Sequence, residues 1–248
     1  MCLKKWSLVC SFIFIFAAMA FSQEFTVGVE DIDYYPHYKN AAGNYSGYAK
    51  DVLDAFAKEK GYTFQYKALP VKRLFSEFLI GKVDFKYPDN SYWAQDLKKG
   101  HDVKYSSAVV EYIDGVVLLP KKKGLGIEKI KTLGTVMGFT AWDYLDKIKA
   151  GEITNKENPN YQGLLNQVIK GRVDGAYCNI AVTNYQLNDV LKQSGALVFD
   201  ADLPHTKSYY SLSTIKHVKV IEEFNKFLIE KKDIVDKIKE KYKVEEGI

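Results

Sequence analysis

The sequence predicts an α/β fold of two similarly built lobes joined by a two-strand hinge, with mostly parallel sheets. Three observations carry this expectation. Strand-like and helix-like patterns alternate from Phe25 to Tyr87, which argues for a layered α/β unit. A helix–glycine–strand unit occurs twice, as Leu79-Ile80-Gly81-Lys82-Val83-Asp84-Phe85 and as Ile169-Lys170-Gly171-Arg172-Val173-Asp174-Gly175. Two extended segments, near Asp114–Pro120 and Ala196–Leu203, are placed to cross between the lobes.

In chain order, Phe25 to Val29 alternates like a strand and Tyr34-Tyr35-Pro36 breaks it into an aromatic loop. Gly47 to Lys60 reads as a helix, with Val52, Leu53, Phe56 and Ala57 at helical spacing and Gly61 as the stop. Thr63 to Leu69 reads as a second strand. Pro70 opens a helix to about Ile80, Gly81 caps it, and Val83 to Tyr87 follows as a third strand. Asp114 to Pro120 has the apolar character of a buried strand. Thr135 to Met137 is a short strand leading into Gly138-Phe139-Thr140-Ala141-Trp142, a turn that opens a helix. Ala196 to Phe199 and Tyr209 to Ser213 are later strands, and Val218 to Tyr242 reads as one long charged amphipathic helix. The repeated unit suggests two lobes of like construction; its spacing is far too long for a solenoid.

The 248 residues are 47% hydrophobic, enough to build real cores. The formal net charge is only +4, with lysines interspersed among acids, so no basic stripe points to nucleic acid. Arginine occurs only as Arg73 and Arg172. Lys4 and Lys5 precede an apolar run from Trp6 to Phe21, and Ala20 and Ser22 suit cleavage before Gln23. The run is shorter than the ~20 residues of a spanning helix, and an uncleaved anchor is the alternative reading. A targeting segment over 1–22 makes the rest of the chain an exported protein. Cys2 and Cys10 leave with that segment, so Cys178 stands alone and no intramolecular disulfide is expected. The remaining division is a discontinuous first lobe over 23–117 and 200–248 and a second lobe over 118–199.

In open α/β sheets, ligands meet the loops beyond the carboxyl ends of the strands. Those loops hold Tyr34, Tyr35, Tyr92 and Trp93, and the third strand ends near Asp89 and Asn90. Loop aromatics often line pockets, although ordinary packing is the alternative for any one of them. Arg73 falls in the first turn after Pro70. It is placed either to grip an anionic ligand group or to pair with a nearby acid. Phe139 and Thr140 follow Gly138 at a helix start, where N–H groups and a hydroxyl meet anions; simple capping is the alternative. Trp142 is either a pocket wall or core. Four histidines without paired spacing, and no nucleophile elbow or phosphate loop, give no expectation of metal or cofactor.

These residues together resemble the type II periplasmic solute-binding proteins, in the group that includes amino-acid-binding components of ABC importers. Four segments carry the resemblance. They are Tyr34-Tyr35-Pro36; Leu69-Pro70-Val71-Lys72-Arg73 with Gly81-Lys82-Val83-Asp84; Tyr105-Ser106; and Gly138-Phe139-Thr140 with Gly171-Arg172-Val173-Asp174. The resemblance covers nearly the whole exported chain. It implies a monomer in the periplasm that closes on a small molecule and serves an importer permease or a membrane sensor. It places Asp31 near a ligand amine, with loop capping as the alternative. It also exposes two departures. Where such proteins carry a carboxylate-binding arginine, Asn90 to Lys99 holds none, and Lys98 or Lys99 lacks the planar fork. Where they carry an aspartate for the ammonium group, this chain has Asn179. Both changes speak against ordinary α-amino-acid binding, and Arg73 with Thr140 suggests a small polar, partly anionic ligand. A dehydratase-like enzyme on the same fold is the rival, with Asp31, Asp89 and Glu111 as its candidate acids and bases.

Overall fold

A computed structural model describes residues 22–245. The targeting segment expected over 1–22 lies outside the described residues apart from Ser22. No helix among the described residues is long and apolar enough to cross a membrane.

The first half starts with β1 (Gln23–Glu30), whose alternation buries Phe25, Val27 and Val29. Helix α1 (Tyr48–Lys60) ends at Gly61 in the left-handed conformation, and β2 (Tyr62–Leu69) follows. Helix α2 (Val71–Leu79) starts directly after Pro70, and β3 (Phe85–Asp89) is wholly buried. β1 pairs in parallel with both β2 and β3. Between β1 and α1 the expected aromatic loop forms a small sheet of Asp33–Tyr34, Tyr38–Ala41 and Asn44–Ser46.

The long strand β4 (Val110–Leu118) leads to the second half, which repeats the arrangement. It contains β5 (Thr132–Val136), β6 (Thr154–Asn158), α3 (Tyr161–Ile169) and β7 (Gly175–Asn179). β5 pairs in parallel with β6 and β7, as β1 does with β2 and β3. Helix α4 (Ile180–Tyr185) leaves β7, with the Asn179 side chain accepting from the Val182 N–H at 3.0 Å. The chain then returns along β8 (Thr206–Thr214) and closes with α5 (Val218–Glu230) and α6 (Lys232–Tyr242).

The strand order is β6-β5-β7-β4-β8-β3-β1-β2. Each half is thus a parallel trio flanked by one antiparallel strand, β8 beside β3 and β4 beside β7. β4 and β8 pair with each other, Val110 opposite Tyr210 through Asp114 opposite Thr206, and so link the halves. This is the two-lobe architecture that the repeated unit predicts.

The repeat also has a physical purpose. Gly81 and Gly171 both take positive φ, 74° and 67°, where a side chain would be strained. Asp84 Oδ2 accepts from the Thr26 N–H at 2.8 Å, and Asp174 Oδ2 accepts from the Thr132 N–H at 2.8 Å. Each aspartate fastens its helix-to-strand turn to the central strand of its own half. The third strand starts at Phe85 rather than Val83, and Asp84 just before it meets Thr26 through both its carboxylate and its own N–H, at 2.8 and 2.9 Å.

Two other expectations shift. The second link between the halves is β8, not the segment Ala196–Leu203. That segment supplies only a two-residue bridge, Val198–Phe199, on β4. It then turns at the buried Asp200, which accepts from the Gly124 N–H at 2.8 Å. The expected long C-terminal helix is two helices meeting at Lys231. The change of direction lays α6 against α1, where Lys241 and Tyr242 both reach Asp51, at 2.7 and 2.9 Å.

Candidate functional site

A cavity of about 220 Å³ lies between the halves. From the first half it is lined by Glu30, Tyr34, Tyr38, Val71, Phe75 and Trp93. Gly138, Phe139, Thr140, Trp142, Tyr177 and Asn179 line it from the second, and Asp114 and Tyr210 from the linking strands. The halves touch around it. The rings of Tyr34 and Phe139 meet edge to face with centroids 5.6 Å apart. The backbone at Gly138 (φ 87°) approaches so near to α2 that an added Cβ would lie 3.6 Å from the Val71 Cβ.

Local sequence explains how these walls are held. Tyr34 is fixed by the small sheet, where it stacks on Tyr38 at 5.2 Å, and Tyr38 on Tyr45 at 6.2 Å. Trp93 follows the end of β3 and meets Tyr210 edge to face at 5.8 Å. Tyr210 is stacked on Tyr112 at 4.3 Å. Tyr177, on β7, donates to Asp143 at 2.6 Å. The wall is predominantly aromatic, with polar tips anchored on the protein side.

Six of the residues singled out from sequence come together here: Tyr34, Trp93, Phe139, Thr140, Trp142 and Asn179. Trp142 is 42% exposed, a wall rather than core. Asn179 combines its capping role with a side-chain amide 3.5 Å from the Tyr210 hydroxyl.

The other five stand elsewhere. Arg73 donates from Nε to Glu77 Oε1 at 2.8 Å, one helical turn along α2, on the outer surface. Asp31 accepts from Asn40 at 2.7 Å in a separate surface depression. Tyr35 packs on Tyr185, centroids 4.5 Å apart, outside the cavity. Asp89 is completely buried and holds Lys98 at 2.8 Å, with Ser213 donating at 2.6 Å. Asn90 ties the loop to β8 through Ser208 and Tyr209, both at 3.0 Å. Lys98 therefore serves Asp89, and burial pulls its ammonium down while Asp89 pulls it up. Tyr92 is exposed.

Sequence reasoning missed Glu30 and Asp114. Both are acids next to or inside apolar strands, which was the available signal. Glu30 accepts from the Tyr38 hydroxyl, and burial raises its carboxyl against the pull of Lys86. Asp114 lines the cavity half-buried, and its buried Oδ1 has no hydrogen-bond partner. Burial pushes its carboxyl up to about 7; the Asn179 amide opposes this and the Asp143 charge adds to it. His37, fully buried behind Tyr34 and Tyr210, is held neutral: burial lowers it to about 3, with Asn179 opposing. Cys178 also lines the cavity, but burial raises its thiol to about 11, which leaves it unreactive.

Residues 25–244 match the family described as bacterial extracellular solute-binding proteins, family 3. Solved structures agree in fold. An ancestral arginine-binding protein bound to arginine is 22% identical, with TM-score 0.71, over 88% of this chain and 97% of that one. The arginine-, lysine-, histidine-binding protein ArtJ of Geobacillus stearothermophilus is 19% identical, with TM-score 0.70, over 89% of this chain and 95% of that one. The BvgS VFT2 domain of Bordetella pertussis is 17% identical, with TM-score 0.67, over 88% of this chain and 93% of that one. At these identities the likeness shows the fold. No curated protein sequence matches the chain.

Proposed function

The chain belongs to the bacterial extracellular solute-binding proteins of family 3, and from that premise we propose that it captures a small solute in the cavity between its halves and presents it to an ABC importer in the cell envelope. The observation that carries this reading is a cavity whose aromatic walls come from both halves, Tyr34 and Trp93 from one and Phe139 and Trp142 from the other. A solute that touches both walls favours the closed arrangement over an open one by the difference in contacts. The paired strands β4 and β8 are the hinge in this reading, with lobes of 23–117 plus 200–248 and of 118–199. Export through the segment 1–22 completes it and places the protein in the periplasm.

The volume, about 220 Å³, lies below the ~300–1,000 Å³ of drug-sized ligand pockets, so the solute is small. The wall favours a solute with an apolar or ring portion. The partly anionic ligand expected from Arg73 gains no support, because Arg73 pairs with Glu77 outside the cavity and the inner wall carries Glu30 and Asp114.

Capture without catalysis is supported by where the three candidate acids stand. Asp89 is paired with Lys98, Asp31 is bonded to Asn40, and Glu111 lies on the surface 3.3 Å from Lys207. Delivery to a membrane sensor is the second reading, and the membrane protein that cross-links to the loaded form separates it from the first.

The test is thermal unfolding of residues 23–248 after denaturation and refolding to strip any solute. A solute at a hundred times its Kd adds about 2.7 kcal/mol, a shift on the order of 5–10 °C. One chemical class producing such a shift, lost when Phe139 is changed to Ala, is the expected result. No shift across amines, organic acids, amino acids and sugars would contradict capture.

A further inference from the structure

Among the described residues, Asp114 is an acid on the cavity lining with no ion-pair partner. Asp114 sits in mid-strand on β4, opposite Thr206 on β8 and Asn179 on β7, so both edges of its backbone are paired and its half-buried side chain faces the cavity. Its Oδ1 is buried and makes no hydrogen bond. Among the described residues no lysine, arginine or histidine forms an ion pair with it. The charged and titratable groups around it, Asp143, Tyr34, Tyr177, Tyr210 and Cys178, are acidic or neutral. The fully buried acids are provided for: Glu30 by the Tyr38 hydroxyl and the nearby Lys86, Glu77 by Lys67 and Arg73, Asp89 by Lys98 and Ser213, and Asp200 by the Gly124 N–H. Lys72 is the basic residue on the cavity lining, and it is exposed.

An unpaired carboxylate in a desolvated site is costly, and a matching cation removes that cost. Ring faces add to the attraction for a cation, most of all where water is excluded. Tyr34, Trp93, Phe139, Tyr177 and Tyr210 surround the same space as Asp114. No arginine lies there to hold a carboxylate on the solute.

We propose that the cavity takes an organic cation without a carboxylate of its own, a protonated amine or a quaternary ammonium, with its positive group against Asp114 and its apolar part on the surrounding rings. This rests on the capture reading and names the ligand class of that cavity. It also accounts for the missing amino-acid anchors. Neither a fork for a carboxylate nor an aspartate at 179 is required, because the cation is met from the linking strand.

The experiment uses refolded residues 23–248 and titration calorimetry with four probes: phenethylamine, choline, phenylacetamide and phenylacetate. Phenethylamine, phenylacetamide and phenylacetate share a ring and differ in charge. The expected result is binding of at least one cation, at least tenfold tighter than the amide, with no binding of phenylacetate. Asp114→Asn, nearly the same shape, weakens cation binding at least tenfold. Arg73→Ala leaves it unchanged and controls for general damage. Phenylacetate or phenylacetamide binding as tightly as the cations, or Asp114→Asn leaving cation affinity intact, overturns the cation assignment and leaves capture standing. Failure of all four probes overturns both the assignment and capture of ring-sized solutes.

Discussion

Asp89 and Asp114 occupy comparable places and have opposite surroundings. Each is an acid in the chain's central strands, at the junction of the two halves. Asp89 ends β3 behind the cavity and meets an ammonium at 2.8 Å, a second at 3.5 Å and a hydroxyl at 2.6 Å. Asp114 meets no cation, keeps an unbonded oxygen and faces empty volume. A buried charge that the protein satisfies itself holds structure together; a half-buried carboxylate with an unbonded oxygen beside a cavity is available to a ligand. Asp89 is fully buried and Asp114 half-buried, yet it is the partners that separate framework from site, where residue type alone does not.

The largest expected effect comes from breaking the satisfied side. Asp89→Asn leaves Lys98 and Lys86 buried without their counter-charge and destabilises the protein by about 3–5 kcal/mol, read from the denaturation midpoint in urea. Asp114→Asn acts in the opposite direction. It removes a half-buried carboxylate with one buried, unbonded oxygen and raises the melting temperature of the solute-free protein at pH 8.

The pH dependence sharpens this second effect. Asp114 in the folded state holds its proton up to about pH 7, and in the unfolded chain it releases it near the ordinary carboxylate value. The folded state therefore binds more protons between those values, and stability falls as pH rises through the window. The advantage of Asp114→Asn over the parent grows from about pH 4 to about pH 7 and is constant above. His37 works the other way, losing stability below about pH 6.5 because its folded form stays neutral, but it contributes equally to both proteins and cancels in the difference.

The smallest effect is expected from Arg73→Ala. The pair with Glu77 is an exposed i,i+4 contact on the arginine side, worth about 0.3–0.5 kcal/mol, and Glu77 keeps Lys67 at 2.6 Å. Solute affinity is unchanged. A tenfold loss of affinity in a calorimetric titration would return Arg73 to the site and undo the comparison.

Much of the fold was legible in the residues. Gly81-Lys82-Val83-Asp84 and Gly171-Arg172-Val173-Asp174 fold locally, through a left-handed glycine and an aspartate that fastens the turn, so their repetition announced two like halves. The loop aromatics Tyr34 and Trp93 and the turn at Phe139 and Thr140 were also readable, since they stand beyond strand ends. The partners of Asp89 were not. Ser213 lies 124 residues away, and only the assembled sheet brings it near. Asp114 was passed over for the complementary reason: what distinguishes it is the absence of partners, which sequence does not display. Arg73 carried its answer four residues on, in Glu77, and scarcity of arginine gave it more weight than its helical neighbour warranted.

The most direct measurement uses the protein's own chromophores. Residues 23–248 contain two tryptophans, Trp93 and Trp142, and both line the cavity, one from each half. Titrating phenethylamine or choline while recording tryptophan emission reports on the cavity alone. The account predicts a saturable change with the same Kd as calorimetry, lost in Asp114→Asn. Emission that stays constant while calorimetry registers binding would place the solute elsewhere and contradict it.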